Sequence, residues 1–187
     1  MVIVGIDEVG RGCWAGPLVA GAVVLNQSIP GLNDSKLLSK KQREKYAIEI
    51  ELQAPAYGLG WVAPAELDQL GLTEAVRLAM RRALEQINVT YDTIIIDGNY
   101  NFLADNPKSQ AIIKADATVP AVSAASIMAK VARDEYMAKS AVDYPNYGFD
   151  KHVGYGTALH LENLILHGPC VLHRRSFKPI QQLENGV

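Results

Sequence analysis

The sequence contains only two cysteines, Cys13 and Cys170, and their separation matches no metal-ligand spacing. They are expected to be free thiols in a reducing compartment, because a disulfide-stapled secreted fold would carry more of them. Long hydrophobic runs are also missing. The longest, residues 16–25, is too short and too rich in glycine to span a bilayer. The N-terminus has no basic segment ahead of an apolar one, which argues against a secretory signal. We therefore expect a cytoplasmic protein with no membrane partner.

A large excess of charge of either sign is missing too. The chain carries 18 Lys and Arg against 20 Asp and Glu, a net charge of -2 at pH 7. This balance argues mildly against a nucleic-acid binder, but the distribution of charge matters more than the sum. Basic residues concentrate in residues 35–45 and 173–178. They indicate either a locally basic binding surface or, as we favour for residues 40–45 taken alone, the solvated face of a helix.

Length and composition are those of an ordinary globular domain. The 187 residues are 49% hydrophobic, which allows one domain to bury its own core. Periodicity predicts strands near residues 2–6, 17–25, 57–62, 91–96 and 111–114. It predicts helices near residues 39–52, 73–87, 123–137 and 157–166, the first with a capping box formed by Ser39 and Gln42. This mixture favours an α/β or α+β sheet covered by helices.

Carboxylates follow three of the apolar runs. Asp7 ends the first run and is paired with Glu8, Asp97 ends the run of three isoleucines, and Asp116 follows a shorter run. If these strands are neighbours, the carboxylates converge at the carboxyl ends of the strands, where α/β proteins commonly bind ligands. Carboxylate oxygens suit a hard divalent cation, and such ions support phosphoryl transfer. The alternative for each single aspartate is an ordinary turn or cap residue.

Short motifs from residue 3 to about residue 179 resemble, in order, those of the bacterial ribonuclease HII family. The N-terminal motifs are DEVGRG at 7–12, AGPLVA at 15–20, LNDSK at 32–36 and IDGN at 96–99. The C-terminal motifs are SAASIMAKVARD at 123–134, YGF at 147–149, HVGY at 152–155 and HRRSF at 173–177. A motif such as IDG alone is weak, but the ordered set is very specific.

The resemblance implies an α/β, ribonuclease H-like fold: a five-stranded mixed sheet flanked by helices, in a single domain over residues 1–187 with a C-terminal helical extension from about residue 141. It implies an endoribonuclease that hydrolyses the RNA strand of RNA-DNA hybrids. It also implies cutting on the 5′ side of ribonucleotides embedded in duplex DNA, which leaves 3′-hydroxyl and 5′-phosphate ends. The implied cofactor is Mg²⁺ or Mn²⁺. The implied catalytic and metal-binding residues are Asp7, Glu8, Asp97 and Asp116.

The same resemblance implies a set of contacts to the nucleic acid. The elements that recognise the ribonucleotide at the junction are Gly10, Arg11, Gly12 and Tyr155. A polar turn that could also cap a helix is implied to face the nucleic acid through Asn33, Ser35 and Lys36.

Three further polar residues carry two interpretations each. Ser123 either packs in a helix of small residues or donates to a phosphate. Lys130 shares one predicted helix face with Arg133, and this face is either solvated or in contact with phosphate. Arg175 either contacts phosphate or pairs with an acid. We include Ser123, Lys130 and Arg175 among the substrate-binding residues.

The chain departs from the family pattern near two of these sites. Asp116 is flanked by Ala115 and Ala117, where the family usually has glycine and serine. Val153 and Gly156 stand where the family often has lysine and proline, so a phosphate-facing cation is missing and the loop of the tyrosine is expected to be looser. No motif for binding the sliding clamp is evident in residues 181–187, and a monomer is expected.

Two other functions remain as alternatives. A non-catalytic nucleic-acid-binding relative would keep basic loops but would have a broken set of carboxylates, and all four are present. A metal-dependent phosphoesterase for a small substrate would need neither Tyr155 nor the basic loops.

Overall fold

A mixed sheet forms the centre of the protein. In residues 1–32 and 38–186, which are those that the computed structural model describes, the sheet has five strands. They are β1 (Ile3–Val9), β2 (Leu18–Val24), β3 (Ala56–Val62), β4 (Thr93–Asp97) and β5 (Ser109–Ile112). Three expected substrate residues, Asn33, Ser35 and Lys36, lie outside the described residues.

The order of the strands is β3-β2-β1-β4-β5, with β1 at the centre. β1 pairs antiparallel with β2 and parallel with β4, while β3 and β5 extend the sheet on either side. The parallel register sets Ile6 opposite Ile96. The residues that follow, Asp7 and Asp97, therefore come from the same end of two adjacent strands.

Helices cover both faces of the sheet, which confirms the fold implied by the family resemblance. The helices are α1 (Lys40–Gln53), α2 (Pro64–Leu70), α3 (Leu72–Leu84), α4 (Ala115–Thr118), α5 (Pro120–Asp143), α6 (Phe149–His152), α7 (Ala158–His167) and α8 (Lys178–Glu184). On one face, α3 packs against Val4 and Ile6 of β1 and against β2. On the other face, α5 packs against β1 and β2, and α1 packs against α5.

Two glycines allow α5 to approach the sheet closely. A Cβ at Gly5 would overlap the backbone of Ala121, and a Cβ at Gly21 would overlap the backbone of Ala125. The first turns of α5 consist of small residues for the same reason, since larger side chains would hold the helix away from the strands. The close contact places Ser126 and Lys130 of α5 beside the end of β1.

The first residues of two helices, α3 and α5, differ from those predicted from the sequence. The capping box of Ser39 and Gln42 is present, as predicted. The predicted start of α3 at Thr73 is wrong by one residue, because the chain turns at Gly71 between α2 and α3. Helix α2 itself was not predicted from periodicity. Helix α5 begins earlier than predicted, with Pro120 in its first turn, where the missing N–H costs nothing.

The chain beyond α5 forms a 3-10 turn (Pro145–Tyr147) and the helices α6 to α8. Their apolar side chains share one cluster with Ala15 and with Met137 of α5. The division into a single domain with an extension from about residue 141 stays a prediction. Among the described residues, no helix combines the length and the hydropathy needed to cross a membrane.

Candidate active site

An open cleft of about 370 Å³ lies where the carboxyl ends of β1 and β4 meet. Carboxylates from the C-terminal ends of both strands line it together with cationic, glycine and tyrosine residues. The lining residues are Asp7, Glu8, Val9, Gly10, Arg11, Gly12, Arg43, Asp97, Ser126, Lys130 and Tyr155. The cleft thus brings together most of the site residues that were expected from the sequence and that the structure describes.

Asp7 is the most buried carboxylate of the cleft and is 8% exposed. Its Oδ1 accepts a hydrogen bond of 2.8 Å from the N–H of Glu8, and its carboxylate also accepts one from the Ser126 hydroxyl. These two donors fix the orientation of the carboxylate. Ser126 was not among the site residues predicted from the sequence.

Asp116 lies behind Asp97 rather than in the lining of the cleft. It is in the first turn of α4 and is 3% exposed. Its backbone N–H donates to Oδ1 of Asp97 at 3.4 Å. The neighbouring Ala115 is fully buried in an apolar cluster with Ile95 and Val122, which accounts for a methyl group at that position.

Burial and neighbouring negative charge raise the pKa values of Asp7 and Glu8. Burial raises the pKa of Asp7 to about 8, and the charges of Glu8 and Asp97 add to this shift against the hydrogen bond from Ser126. Burial also raises the pKa of Glu8, although the nearby guanidinium of Arg11 acts in the opposite direction. Ionising Asp7 and Glu8 in the folded protein therefore costs more free energy than ionising them in water.

The chemistry of these residues fits a divalent cation. Among the described residues, Oε2 of Glu8 is a buried side-chain oxygen that has no hydrogen-bond partner. A hard cation would satisfy this oxygen and would relieve the repulsion between the carboxylates. In the described part of the chain, however, no three His, Cys, Asp or Glu side chains stand close enough to hold a metal ion. Magnesium commonly takes only one or two carboxylates and completes its shell with water and phosphate oxygens, which Asp7 and Glu8 fit.

The turn after β1 consists of Gly10, Arg11 and Gly12. Gly10 has a φ of 90°, which favours glycine. The Arg11 guanidinium donates to Oε1 of Glu8 at 3.0 Å and lies 5.6 Å from the ring centre of Phe102. A Cβ at Gly12 would meet nothing within 4 Å. The turn therefore leaves open space on the side of Gly12.

Two fully buried arginines hold this turn and the segment after it. Arg133 of α5 donates from Nε to the Pro17 carbonyl at 2.9 Å and from Nη2 to the Ala15 carbonyl at 3.0 Å. Arg174 donates from Nε and Nη2 to the Gly16 carbonyl at 3.0 and 2.9 Å.

Arg174 also donates from Nη1 to the carbonyl of Arg11 at 3.1 Å. Burial lowers the pKa of Arg174 to about 10. Arg133, expected to share a solvated or phosphate-binding face with Lys130, is instead 0% exposed. Both arginines are therefore structural anchors of the cleft.

Tyr155 forms one wall of the cleft. Nζ of Lys130 lies 5.4 Å from the centre of its ring, and the Arg133 guanidinium lies 5.8 Å from it. The phenol forms a hydrogen bond with the thiol of Cys13, and burial raises the pKa of Tyr155. A half-exposed aromatic face held by fixed neighbours is suited to packing against a sugar or a base.

Comparisons with known proteins agree with this arrangement. The family described as Ribonuclease HII matches residues 4–180. A ribonuclease HII of Burkholderia pseudomallei (strain 668) is 48% identical over 184 residues, which cover 97% of this chain and 85% of the relative. The chain belongs to the ribonuclease HII family. It is therefore an endoribonuclease of the ribonuclease H type, which acts on RNA-DNA hybrids in a family that depends on divalent metal ions.

Further relatives extend this result. A ribonuclease HII of Janthinobacterium sp. (strain Marseille) is 45% identical over 188 residues, which cover 100% of this chain and 89% of that protein. The crystal structure of ribonuclease H2 from Pyrococcus horikoshii OT3 superposes with a TM-score of 0.85 at 28% identity, covering 100% of this chain and 98% of that one. The Mn²⁺ complex of Bst-RNase HIII, at 19% identity and a TM-score of 0.79, covers 99% of this chain and 70% of that one and supports the fold alone.

One structural relative bears on the partners of ribonucleases HII. The structure of the PCNA:RNase HII complex from Archaeoglobus fulgidus matches with a TM-score of 0.77 at 26% identity, covering 95% of this chain and 96% of that one. A sliding clamp is thus a partner of that relative. In this ribonuclease HII, Lys178–Glu184 is a short helix. The expected lack of a clamp-binding motif in residues 181–187 stays a prediction, as does the monomer.

The cationic residues expected to bind substrate divide into two groups. Lys130 lines the cleft and forms an ion pair of 2.9 Å with Asp134. Arg175 does not line it, because its guanidinium pairs with Glu184 and its N–H donates to Asp68. Arg43 of α1 does line the cleft, and sequence reasoning missed it because residues 40–45 were interpreted as a solvated face.

Ser123 is buried and lies one helical turn before Ser126. It is 3% exposed and does not line the cleft, whereas Ser126 does. Both serines follow the same small-residue pattern along α5. The choice between them depends on the helical rotation that the contact with the sheet imposes, and this rotation could not be read from the sequence.

The loop of Tyr155 is anchored despite its departures from the family pattern. The carbonyl of Gly154 accepts hydrogen bonds from the N–H groups of Trp14 and Ala15. Gly156 lies against the ring of Trp14, where a Cβ would overlap it. The glycine therefore makes room for the tryptophan. Val153 adopts a left-handed conformation with a φ of 44°, which is strained for a β-branched residue.

Proposed function

We propose that this ribonuclease HII cuts the phosphodiester on the 5′ side of a ribonucleotide embedded in duplex DNA, as well as the RNA strand of hybrids. The observation that carries the proposal is the buried pair Asp7 and Glu8 beside Asp97, with one oxygen of Glu8 left without a hydrogen-bond partner in the described structure. This arrangement lies in a cleft bordered by cationic side chains, which is the chemistry that a nucleic-acid phosphate requires.

The proposed metal-binding residues are Asp7, Glu8, Asp97 and Asp116, with Mg²⁺ or Mn²⁺ as the cofactor. When bound, a divalent ion supplies activation of the attacking water and stabilisation of the leaving oxygen. Water adds to phosphorus and the bond to the 3′ oxygen breaks, which leaves 3′-hydroxyl and 5′-phosphate ends. Ser126 and the N–H of Glu8 orient the Asp7 carboxylate throughout.

The walls of the cleft are proposed to bind the duplex. Arg11, Arg43 and Lys130 offer cationic groups to the phosphates, and such contacts position a duplex without reading its sequence. The backbone of Gly10 and Gly12 can approach the 2′-hydroxyl, the group by which RNA differs from DNA. Tyr155 is proposed to pack on the adjacent sugar. Asn33, Ser35 and Lys36 remain proposed contacts from the sequence alone.

Two of the sequence-based substrate contacts are not needed in this proposal. Ser123 is buried behind Ser126, and Arg175 is paired outside the cleft. Arg43, which lines the cleft, takes the role that was expected of Arg175, whereas Ser126 orients Asp7.

The test is cleavage of three labelled duplexes that differ only in sugar chemistry: all DNA, one embedded ribonucleotide, and a continuous RNA-DNA hybrid. Wild type is expected to cut the last two in Mg²⁺ or Mn²⁺, to leave 5′-phosphate ends, and to be inactive in a chelator. Asp97→Asn is expected to remove cleavage and to weaken Mn²⁺ binding measured by electron paramagnetic resonance. The matched control is Asp105→Asn, since Asp105 is an exposed carboxylate paired with Arg81.

Two results would contradict the proposal. Near-normal turnover by Asp97→Asn in Mg²⁺ would remove Asp97 from the metal site. If the protein cuts the continuous hybrid but not the duplex with a single ribonucleotide, it is a ribonuclease specific for hybrids, and the proposed cleavage at embedded ribonucleotides is wrong.

A further inference from the structure

Three buried histidines form a stack behind the Tyr155 loop. His152 ends α6, His160 lies in α7, and His173 precedes Arg174; they are 6%, 0% and 2% exposed. The rings of His152 and His160 are stacked with centres 4.2 Å apart, and Nε2 of His160 lies 3.0 Å from Nε2 of His173. None of them takes part in the chemistry proposed above.

The hydrogen-bond partners fix which ring nitrogens carry protons. The N–H of Cys170 donates to Nδ1 of His173 at 2.9 Å, so the proton of a neutral His173 is on Nε2. That Nε2–H can donate only to an unprotonated Nε2 of His160. His160 must then carry its proton on Nδ1, which lies 2.9 Å from the carbonyl oxygen of Tyr155.

The opposite assignment leaves unfavourable contacts. A proton on Nδ1 of His173 would exchange the 2.9 Å hydrogen bond from the N–H of Cys170 for a longer contact of 3.3 Å with the carbonyl oxygen of Cys170. His160 would then have to donate from Nε2, and its bare Nδ1 would face the carbonyl oxygen of Tyr155. The hydrogen bonds therefore all point in one direction, from the N–H of Cys170 through His173 and His160 to the carbonyl of Tyr155. We call this chain of hydrogen bonds the relay.

The same stack holds the other side of the tyrosine. His152 accepts at Nδ1 from the Gly154 N–H at 3.1 Å, and its carbonyl accepts from the Tyr155 N–H at 2.9 Å. The carbonyl of Tyr155 also accepts from the N–H of Thr157 at 2.9 Å, so the loop keeps a hydrogen bond there if His160 is changed. Variants at His160 are therefore expected to fold.

We propose that His160, kept in its Nδ1–H form by His173, is a positioning residue that fixes the Tyr155 ring in the wall of the cleft. The inference rests on the proposed function, which assigns Tyr155 to the sugar beside the ribonucleotide. Histidine suits this role because one rigid ring can accept on one side and donate on the other. Burial also lowers the pKa values of His160 and His173 to about 4, so both stay neutral at physiological pH.

Two amide substitutions, each of which keeps the position of one ring nitrogen, separate positioning from packing. Asparagine at 160 places an amide nitrogen near the position of Nδ1 and keeps the donor for Tyr155. Glutamine instead reaches the position of Nε2 and loses that donor. For single-turnover cleavage at one embedded ribonucleotide, we expect about a fivefold loss in His160→Gln and about wild-type rates in His160→Asn. His167→Gln, the same change at an exposed site of the same helix, is the matched control.

A direct readout of the relay does not depend on activity. Nitrogen-15 NMR of the histidine rings in the wild-type protein is expected to show His160 protonated at Nδ1 and His173 at Nε2. The opposite tautomers would overturn the proposal. Equal losses in His160→Gln and His160→Asn would also overturn it, since packing alone would then explain both.

Tyr155→Ala distinguishes failure of the relay from failure of the proposed function. If Tyr155→Ala loses junction cleavage and His160→Gln does not, the relay is wrong and the role of Tyr155 stands. If Tyr155→Ala cuts all substrates like wild type while Asp97→Asn is inactive, the metal-dependent function stands. In that case both the proposed role of Tyr155 in substrate binding and the positioning role of His160 are wrong.

Discussion

Replacing Asp7 with asparagine is expected to stabilise the metal-free protein at neutral pH while it abolishes cleavage. The pKa of Asp7 in the fold is about 8, whereas an unfolded aspartate ionises near pH ~3.9. The folded protein therefore keeps a proton that the unfolded chain releases, and stability declines as pH rises through this window. At pH 7 the loss amounts to about 4 kcal/mol.

Asparagine has no proton to lose, so it removes this pH-dependent cost. Its Oδ1 can still accept from the N–H of Glu8, but its amide nitrogen cannot accept the hydrogen bond that Ser126 donates to the carboxylate. Losing that bond costs about 1–2 kcal/mol. The expected net gain is about 2 kcal/mol at pH 7, and it vanishes at about pH 5, where the pH-dependent cost equals the cost of the lost hydrogen bond.

The measurement is urea unfolding in a chelating buffer at several values between pH 5 and pH 8. Asp105→Asn is the control, because that carboxylate is exposed. In thermal melts the gain corresponds to about 4–8 °C. Added Mg²⁺ should stabilise wild type and have little effect on Asp7→Asn. Parallel pH dependences of wild type and Asp7→Asn would refute the reasoning.

His160 and His173 have lowered pKa values of about 4, so the unfolded chain binds more protons than the folded protein between about pH 4 and 6.5. Acidification to pH 5.5 should therefore lower the free energy of unfolding by about 1 kcal/mol per histidine. The measurement is urea unfolding of Asp7→Asn, in which the pH-dependent contribution of Asp7 is removed. Val153→Asn should raise the free energy of unfolding by about 1 kcal/mol in the same assay, since asparagine tolerates the left-handed backbone. An unchanged urea midpoint would mean that the backbone at Val153 is not strained. Lys130→Ala should reduce the slope of log affinity for duplex against log salt by about one unit, whereas Arg175→Ala should leave it unchanged.

The sequence predicted the part of the site that follows from strand geometry. Asp7 and Asp97 each end an apolar run, and adjacent parallel strands bring such residues together. The anchors of the cleft could not be predicted in this way. Arg133 shares helical periodicity with Lys130, yet a fully buried guanidinium and a partly exposed ammonium look alike in a pattern of charges. Only the approach of the Ala15 and Pro17 carbonyls, more than 100 positions away along the chain, separates their roles.

Arg174 gives the cleft an order of assembly. Its guanidinium holds the carbonyls of Arg11 and Gly16, and it stands 158 positions after Gly16. A ribosome that adds about 5–20 residues per second makes the substrate turn roughly 10–30 s before the residue that holds it. The nascent enzyme therefore carries its carboxylates long before its substrate turn is fixed. A folded sheet therefore precedes a finished active site, because the turn is fixed only after Arg174 has been synthesised.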